Sequence, residues 1–93
     1  MDNKLNTLGL AFRAKKIILG EDILKSINKV KLIFIASDIS VKSKERILKK
    51  CVYYNIDYVE TFNSTELSNA LGKNNIKLIG VIDEGFKNSL LNK

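Results

Sequence analysis

The sequence predicts an α/β domain in which a four-stranded sheet lies between layers of helices, and three observations support this fold class. The chain has 93 residues, enough for one small hydrophobic core, so we expect residues 1–93 to form a single domain. Apolar residues make up 45% of the chain and charged residues 28%, values typical of globular proteins. Short apolar runs alternate with segments of helical periodicity, as they do when helices cover both faces of a sheet.

The first part of the chain predicts two helices and two strands. Apolar residues from Leu5 to Phe12 follow helical spacing, and the apolar triplet at 17–19 predicts a strand that ends at Gly20. A short helix is expected to begin at Gly20, with two acidic residues in its first turn. The continuous apolar run at 32–36 predicts a strand that is covered on both faces.

A longer helix is predicted after this strand. Its N-cap oxygens come from the segment that contains Ser37, Asp38 and Ser40, and Asn55 ends it. The residues predicted to face the core are Val41, Ile47, Leu48, Cys51 and Tyr54. The basic residues that fall mostly on the outer side are Lys42, Lys44, Arg46, Lys49 and Lys50.

The last part of the chain predicts two more strands and two more helices. A short strand at 58–59 precedes a helix whose first turn has the capping-box residues Asn63 and Glu66. Gly72 fits the left-handed position that follows a helix, and the run at 76–82 predicts the last strand. The final helix is capped by Asp83 and carries Phe86, Leu90 and Leu91. Five helices thus alternate with four strands.

The reactive residue types form no catalytic arrangement. With one cysteine and no histidine, the chain has no Cys-His or Ser-His pair and no zinc-ligand cluster. Cys51 lies on an apolar helical stripe, so we interpret it as a small core residue rather than a reactive thiol. The acidic pairs at 21–22 and 83–84 open predicted helices, and the glycines have no phosphate-loop spacing. We expect no enzymatic activity, no cofactor and no metal site.

The positive charge is concentrated in the first half of the chain. The whole chain carries 16 basic and 10 acidic residues, but residues 1–50 hold twelve basic and five acidic ones, a net charge of +7. A phosphate backbone is attracted to such a half, although a solvated lysine-rich surface has the same composition. No apolar run reaches the roughly 18 residues of a membrane span, and the first twenty residues, which mix charged side chains into the apolar positions, do not resemble a signal peptide. We therefore expect a cytoplasmic protein that does not enter the membrane.

Gly20 is the candidate site for a nucleic acid. A glycine between a strand and a helix allows a phosphate to approach the backbone N–H groups of the helix start. Lys15 and Lys16 before it and Lys25 after it add cationic donors. The alternative is an ordinary glycine turn surrounded by surface lysines.

Four segments, in this order and spacing, resemble a known family. They are LGLAFRAKKIILGED, KLIFIASD, KCVYYNIDYVE and ELSNALGKNNIKLIGVIDEGF. Together they are similar to the ribosomal protein L-seven-Ae family, in particular its small bacterial YlxQ-like members, and the resemblance extends from about Leu5 to Leu91. It implies a three-layer α/β/α sandwich with a four-stranded mixed sheet, and a protein that binds kink-turns in RNA at one edge of that sheet.

The resemblance also implies which residues form that edge. They are Gly20, Glu21 and Asp22 at the helix start, Ala36, Ser37 and Asp38 in the next loop, and the loop from Gly72 to Lys77 with Lys73, Asn74, Asn75 and Ile76. The family motif at the helix start is glycine, any residue, asparagine, glutamate, two more residues and lysine. Here Asp22 takes the place of the asparagine, Ile23 that of the glutamate, and Lys25 comes one residue early. Carboxylates at such a site are repelled by phosphates, although they also accept hydrogen bonds from bases.

We expect a monomeric, non-enzymatic protein that binds structured RNA, on the ribosome or in a regulatory leader. Its lysines would neutralise the phosphates of a bent RNA while the Gly20 helix start recognises the bend. The alternative is a protein-interaction module, on the ribosome or the transcription machinery, that has lost RNA recognition. The acidic helix start favours this alternative.

Overall fold

The computed structural model describes residues 3–91, which form five α-helices, a short 3-10 helix and four strands. In chain order the elements are α1 (Asn3–Arg13), β1 (Ile17–Leu19), α2 (Asp22–Lys25), the 3-10 helix (Ile27–Lys29), β2 (Leu32–Ile35), α3 (Val41–Tyr54), β3 (Asp57–Val59), α4 (Ser64–Leu71), β4 (Leu78–Val81) and α5 (Glu84–Leu91). The predicted alternation of helices and strands is confirmed. Within the described part of the chain, no helix has the length and apolarity needed to cross a membrane.

The sheet is mixed, as predicted, with the strand order β1-β4-β2-β3. β4 is antiparallel to both of its neighbours, and β2 is parallel to β3. The C-terminal ends of β1, β2 and β3 and the N-terminal end of β4 therefore lie at the same end of the sheet. We call this the Gly20 end, because Gly20 directly follows β1.

The helices cover both faces of the sheet and complete the three-layer sandwich. Side chains of β2 alternate between the two faces: Leu32 and Phe34 join one core, and Ile33 and Ile35 join the other. The first core also contains Leu8, Phe62, Leu67, Leu71, Ile79, Val81 and Leu90, contributed by α1, the β3–α4 segment, α4, β4 and α5. The second core contains Ile23, Ile27, Val30, Ile47, Cys51 and Ile56, contributed by α2, α3 and their flanking segments. Both faces of β2 are buried, which explains its uninterrupted apolar sequence.

Two close contacts show how tightly the first core packs. The rings of Phe34 and Phe62 stack with centroids 6.2 Å apart. Helices α1 and α4 approach so closely at Gly9 that a Cβ atom there would lie 2.9 Å from the carbonyl oxygen of Ala70. A larger residue at Gly9 would push the two helices apart.

The predicted helix caps are present. Asn63 and Glu66 form a reciprocal capping box, with the Asn63 side chain accepting from the Glu66 backbone N–H at 2.9 Å. The Asp83 carboxylate accepts from the backbone N–H of Phe86 at 2.9 Å. Asn55 and Gly72 follow α3 and α4 in the left-handed conformation. Local polar residues therefore define these helix boundaries.

Three details of the prediction are wrong. Helix α2 begins at Asp22 rather than at Gly20. Val41 and Tyr54 were predicted to face the core, but they are 73% and 38% exposed. The 14 residues of α3 span about 21 Å, whereas a four-residue strand spans about 13 Å, so α3 is too long to be covered along its whole length by the sheet.

Candidate nucleic-acid interface

The fold brings three predicted segments to the Gly20 end of the sheet. The segment 20–22 follows β1, the segment 36–38 follows β2, and the segment 72–77 precedes β4. Backbone hydrogen bonds join the last two of these, since the N–H of Ala36 donates to the carbonyl oxygen of Lys77 at 2.9 Å. The N–H of Ser37 donates to the carbonyl oxygen of Phe62 at 2.9 Å, which fixes this loop to the segment after β3.

Gly20 forms an open, left-handed turn between β1 and α2. Its φ is +57°, a conformation that favours glycine and that most other residues adopt only at a cost. A Cβ atom at this position would have no atom within 4 Å apart from those of Gly20 and its two neighbours in the chain. The turn therefore has a demanding backbone conformation and open space beside it, and both sequence-based interpretations of Gly20 are compatible with this geometry.

The start of α2 combines exposed acidic and basic side chains. Glu21 and Asp22 are both exposed, and neither makes a side-chain cap to the helix. The Lys25 ammonium lies 4.0 Å from an Asp22 carboxylate oxygen, with both side chains more than 70% exposed. Such an exposed pair contributes little to stability, so Lys25 is available to a competing anion.

A groove of about 460 Å³ separates the start of α2 from α3. Its cationic residues are Lys25 from α2 and Arg46 and Lys50 from α3, and Leu78 of β4 also lines it. The sequence predicted Arg46 and Lys50 to be exposed on their helix but did not predict that they would face Gly20. Helical spacing indicates which side of α3 is polar, whereas the arrangement of α3 beside α2 depends on tertiary packing.

Asp38 is hydrogen-bonded within the protein. One carboxylate oxygen accepts from the backbone N–H of Ser64 at 2.8 Å, and the other accepts from its hydroxyl at 2.6 Å. These bonds hold the pKa of Asp38 below its ordinary value, with the hydroxyl of Ser64 making the largest contribution. Asp38 thus links the loop after β2 to the start of α4, while the neighbouring Ser37 is exposed.

The loop before β4 borders a second, more polar groove along α4. Lys73, Asn74 and Asn75 line this groove. The Lys73 ammonium lies 5.5 Å from the ring centroid of Phe12, a cation–π distance, so the side chain is directed towards α1. Ile76 is half-buried, and its backbone N–H donates to the Ser68 hydroxyl at 2.9 Å, which anchors the end of the loop.

Lys15 and Lys16 are not part of the Gly20 end. Both precede β1, and the Lys16 carbonyl oxygen accepts from the N–H of Ile82 at the opposite end of the sheet. An extended chain advances about 3.3 Å per residue, which places Lys16 roughly 13 Å from Gly20 along the strand. The structure does not bring these two lysines to Gly20, because an intervening strand separates residues that are close in sequence. A contact of Lys15 or Lys16 with RNA elsewhere stays a prediction.

The remaining reactive groups do not form a metal site. Among residues 3–91, no group of three His, Cys, Asp or Glu side chains is positioned to bind a metal. Cys51 is only 2% exposed, as predicted, and burial raises the pKa of its thiol to about 11. The thiol therefore stays protonated and unreactive at neutral pH.

A family model described as the ribosomal protein L7Ae/L30e/S12e/Gadd45 family matches residues 3–91 of the chain. The chain belongs to this family. The expected family resemblance is thereby confirmed. Two relatives of similar length are each called RNA-binding protein YlxQ. The one from Enterococcus faecium is 36% identical over 85 residues, covering 88% of this chain and 82% of its own length.

The other relative, from Bacillus subtilis (strain 168), is 34% identical over 87 residues, covering 90% of this chain and 87% of its own length. Among solved structures, a protein with unknown function from Bacillus halodurans C superposes with a TM-score of 0.93 and 34% identity, over 97% of this chain and 94% of that one. The Giardia lamblia 15.5kD RNA binding protein superposes with a TM-score of 0.77 at 19% identity, over 97% and 83% of the two chains. This more distant structure confirms the fold.

Proposed function

We propose that this chain is a cytoplasmic, monomeric RNA-binding protein that recognises kink-turn RNA, on the ribosome or in a regulatory leader, and that it has no enzymatic activity. Family membership and the names of the YlxQ relatives support RNA as the ligand. Recognition of a kink-turn is the more specific part of the proposal, and its support is the geometry of the Gly20 end.

The observation that carries the proposal is the cationic groove beside Gly20. Lys25, Arg46 and Lys50 line a concave surface next to a turn whose backbone is open to contact. A sharply bent RNA brings phosphates of two stems close together, and clustered cations relieve that repulsion. A straight duplex fits a concave, short surface less well. The protein thereby stabilises the bent RNA relative to the extended one.

The loop before β4 supplies a second set of contacts in this mechanism. Asn74 and Asn75 are exposed, and their amides both donate and accept hydrogen bonds, which suits base edges and the ribose 2′-hydroxyl. Lys73 adds a cation on the same loop. Contacts on two sides of Gly20 would fix the orientation of the RNA.

A comparison of two RNAs tests the proposal. Binding is measured by fluorescence anisotropy with a kink-turn RNA and with the same RNA after removal of its bulge, which makes a straight duplex. We expect the kinked RNA to bind at least about tenfold more tightly, a difference of about 1.4 kcal/mol. Equal affinities would contradict kink recognition.

A matched pair of lysine variants locates the interface. Lys25→Ala should weaken binding to the kinked RNA several-fold. Lys31→Ala removes the same charge from an exposed residue just before β2, at the opposite end of the sheet, and should leave binding unchanged. If the two variants bind equally well while folded, the Gly20 groove is not the binding surface.

One observation favours a second function, that of a protein-interaction module. Glu21 lines the groove itself and Asp22 directly follows it, and both exposed carboxylates repel phosphates. On this alternative the folded wild-type protein would bind neither RNA at physiological salt. The Gly20 end of the sheet would instead bind a protein partner, which would be recovered together with this chain.

A further inference from the structure

Helix α3 carries a basic stripe on its solvent side that extends away from the Gly20 groove. Lys42, Arg46, Lys49 and Tyr53 follow one another at intervals of four, three and four residues, so they lie along one side of the helix. All four are exposed, and Tyr53 is 80% exposed. We call these four residues the α3 stripe. Lys50 is adjacent to it and lines the groove.

In the described part of the chain, the cations of the α3 stripe form no ion pair with a carboxylate. Lys44, on a different side of α3, pairs with Glu60 at 3.0 Å. Within residues 3–91, by contrast, no carboxylate oxygen lies within 4.0 Å of the side-chain nitrogens of Lys42, Arg46 or Lys49. Glu45 is exposed on the same side of α3, three residues after Lys42 and four before Lys49, and offsets part of this charge. Three cations against one acid leave the stripe net positive, and an external polyanion would relieve the remaining repulsion.

The stripe is continuous with the groove beside Gly20, because Arg46 belongs to both. The helical rise places Lys49 about 10 Å from Lys42 along the axis, so the stripe is long enough for several consecutive phosphates of one strand. Tyr53 adds a hydroxyl donor of the kind that contacts phosphate oxygens, and its ring is held edge-on against Tyr54 at 4.8 Å.

We propose that the α3 stripe is a second nucleic-acid contact, which holds the phosphate backbone of a helical stem that leaves the groove at Gly20. This inference rests on the proposed function for the identity of the ligand. It adds a surface outside the three segments that the sequence predicted. Charge complementarity and the shared Arg46 favour RNA over an acidic protein as the occupant.

The experiment uses kink-turn RNAs that differ in stem length. The reference RNA has two stems that are too short to leave the groove. In each of the other RNAs, one stem is about one helical turn longer. The affinity of each RNA is measured at several salt concentrations. The double variant Lys42→Ala/Lys49→Ala removes stripe residues that do not line the groove. The control Lys29→Ala/Lys31→Ala removes the same charge from exposed residues at the opposite end of the sheet.

For one of the two stems, we expect lengthening to increase the affinity of the wild type and of the control. The RNA with this longer stem should bind at least about fivefold more tightly than the RNA with short stems. The stripe variant should lose this gain, and its salt slope on the long RNA should be smaller by about two, one for each lost phosphate contact. Circular dichroism should show an unchanged fold, because both lysines are exposed.

The outcomes separate the two proposals. If the stripe variant gains as much from the longer stem as the control does, the stripe inference is overturned, and a protein partner becomes its better occupant. If kinked and straight RNAs bind equally but the stripe variant still loses the stem-dependent gain, kink recognition is wrong and the stripe contact stands. A wild-type protein that binds none of these RNAs would overturn both.

Discussion

At the scale of single residues, Cys51 shows how burial decides the role of a reactive group. It lies in the core between α3 and the sheet, where burial disfavours the charged thiolate. Cys51→Ser places a hydroxyl in this apolar site and should lower the free energy of unfolding by about 1 to 2 kcal/mol. Chemical denaturation measures this change, and RNA affinity of the folded variant should be unaltered.

The same thiol predicts a dependence on pH. Burial raises the pKa of the thiol from 9.0 to about 11, so the folded state favours the protonated form. The resulting contribution to the free energy of unfolding is fully present below pH 9 and is lost as the pH rises towards 11. The difference in stability between wild type and Cys51→Ser should therefore narrow over that range. Rapid labelling of the native thiol at neutral pH would show instead that the site is open.

Gly20 illustrates a residue whose backbone matters more than its missing side chain. Asn55 and Asn75 adopt nearly the same left-handed φ, at 55° and 56°, so this chain tolerates asparagine in that conformation. A branched residue such as valine is strained there even though the surrounding space is open. Loss of RNA binding in a Gly20→Val variant could thus result from backbone strain or from steric exclusion of the RNA. Gly20→Asn adds a side chain with less backbone strain, so it tests steric exclusion more directly.

At the scale of elements, the short helix α2 is the part of the candidate site whose charge opposes its proposed ligand. Asp22 stands next to the groove, and its carboxylate is 4.0 Å from Lys25. Asp22→Asn should raise affinity for the kink-turn RNA several-fold, because it removes a repulsive charge and frees Lys25. Stability should fall slightly, by about 0.3 to 1 kcal/mol, as the helix start loses a favourable acid.

A charge-matched control for this variant is Glu84→Gln, an exposed acid in the first turn of α5, which also loses a helix-start charge. Its affinity for RNA should equal that of the wild type. An Asp22→Asn protein that binds no better than Glu84→Gln would indicate that the start of α2 does not face phosphates.

Apolar periodicity and capping residues predicted the helices and strands closely. The capping box of α4, the left-handed residues after α3 and α4, and the Asp83 cap are all local interactions, so a single sequence reveals them. The errors at Val41 and Tyr54 have a different origin. Whether the end of a helix is covered depends on the length of the neighbouring strands, which a pattern within the helix does not contain.

At the scale of the whole molecule, the distribution of charge predicts how binding responds to salt. Contact with about four to six phosphates would make log K fall with log salt at a slope of about −4 to −5. Lys50→Ala, in the groove, should make the slope less steep by about one, whereas Lys16→Ala, at the opposite end of the sheet, should leave it unchanged. A slope near zero in the wild type would remove the electrostatic basis of the interface.

The sequence alone determined the α/β class, the order of the helices and strands, the burial of Cys51 and the family, because these depend on local periodicity and on the order of segments along the chain. Gly20, Lys25 and the loop before β4 are also candidate site residues from the sequence, and their role in binding stays a prediction. Only the tertiary structure moved Lys15 and Lys16 to the other end of the sheet, brought Arg46 and Lys50 to Gly20, and joined Asp38 to Ser64. A binding surface is assembled from segments distant in sequence, and its membership is decided by strand direction and helix packing, which no single segment encodes.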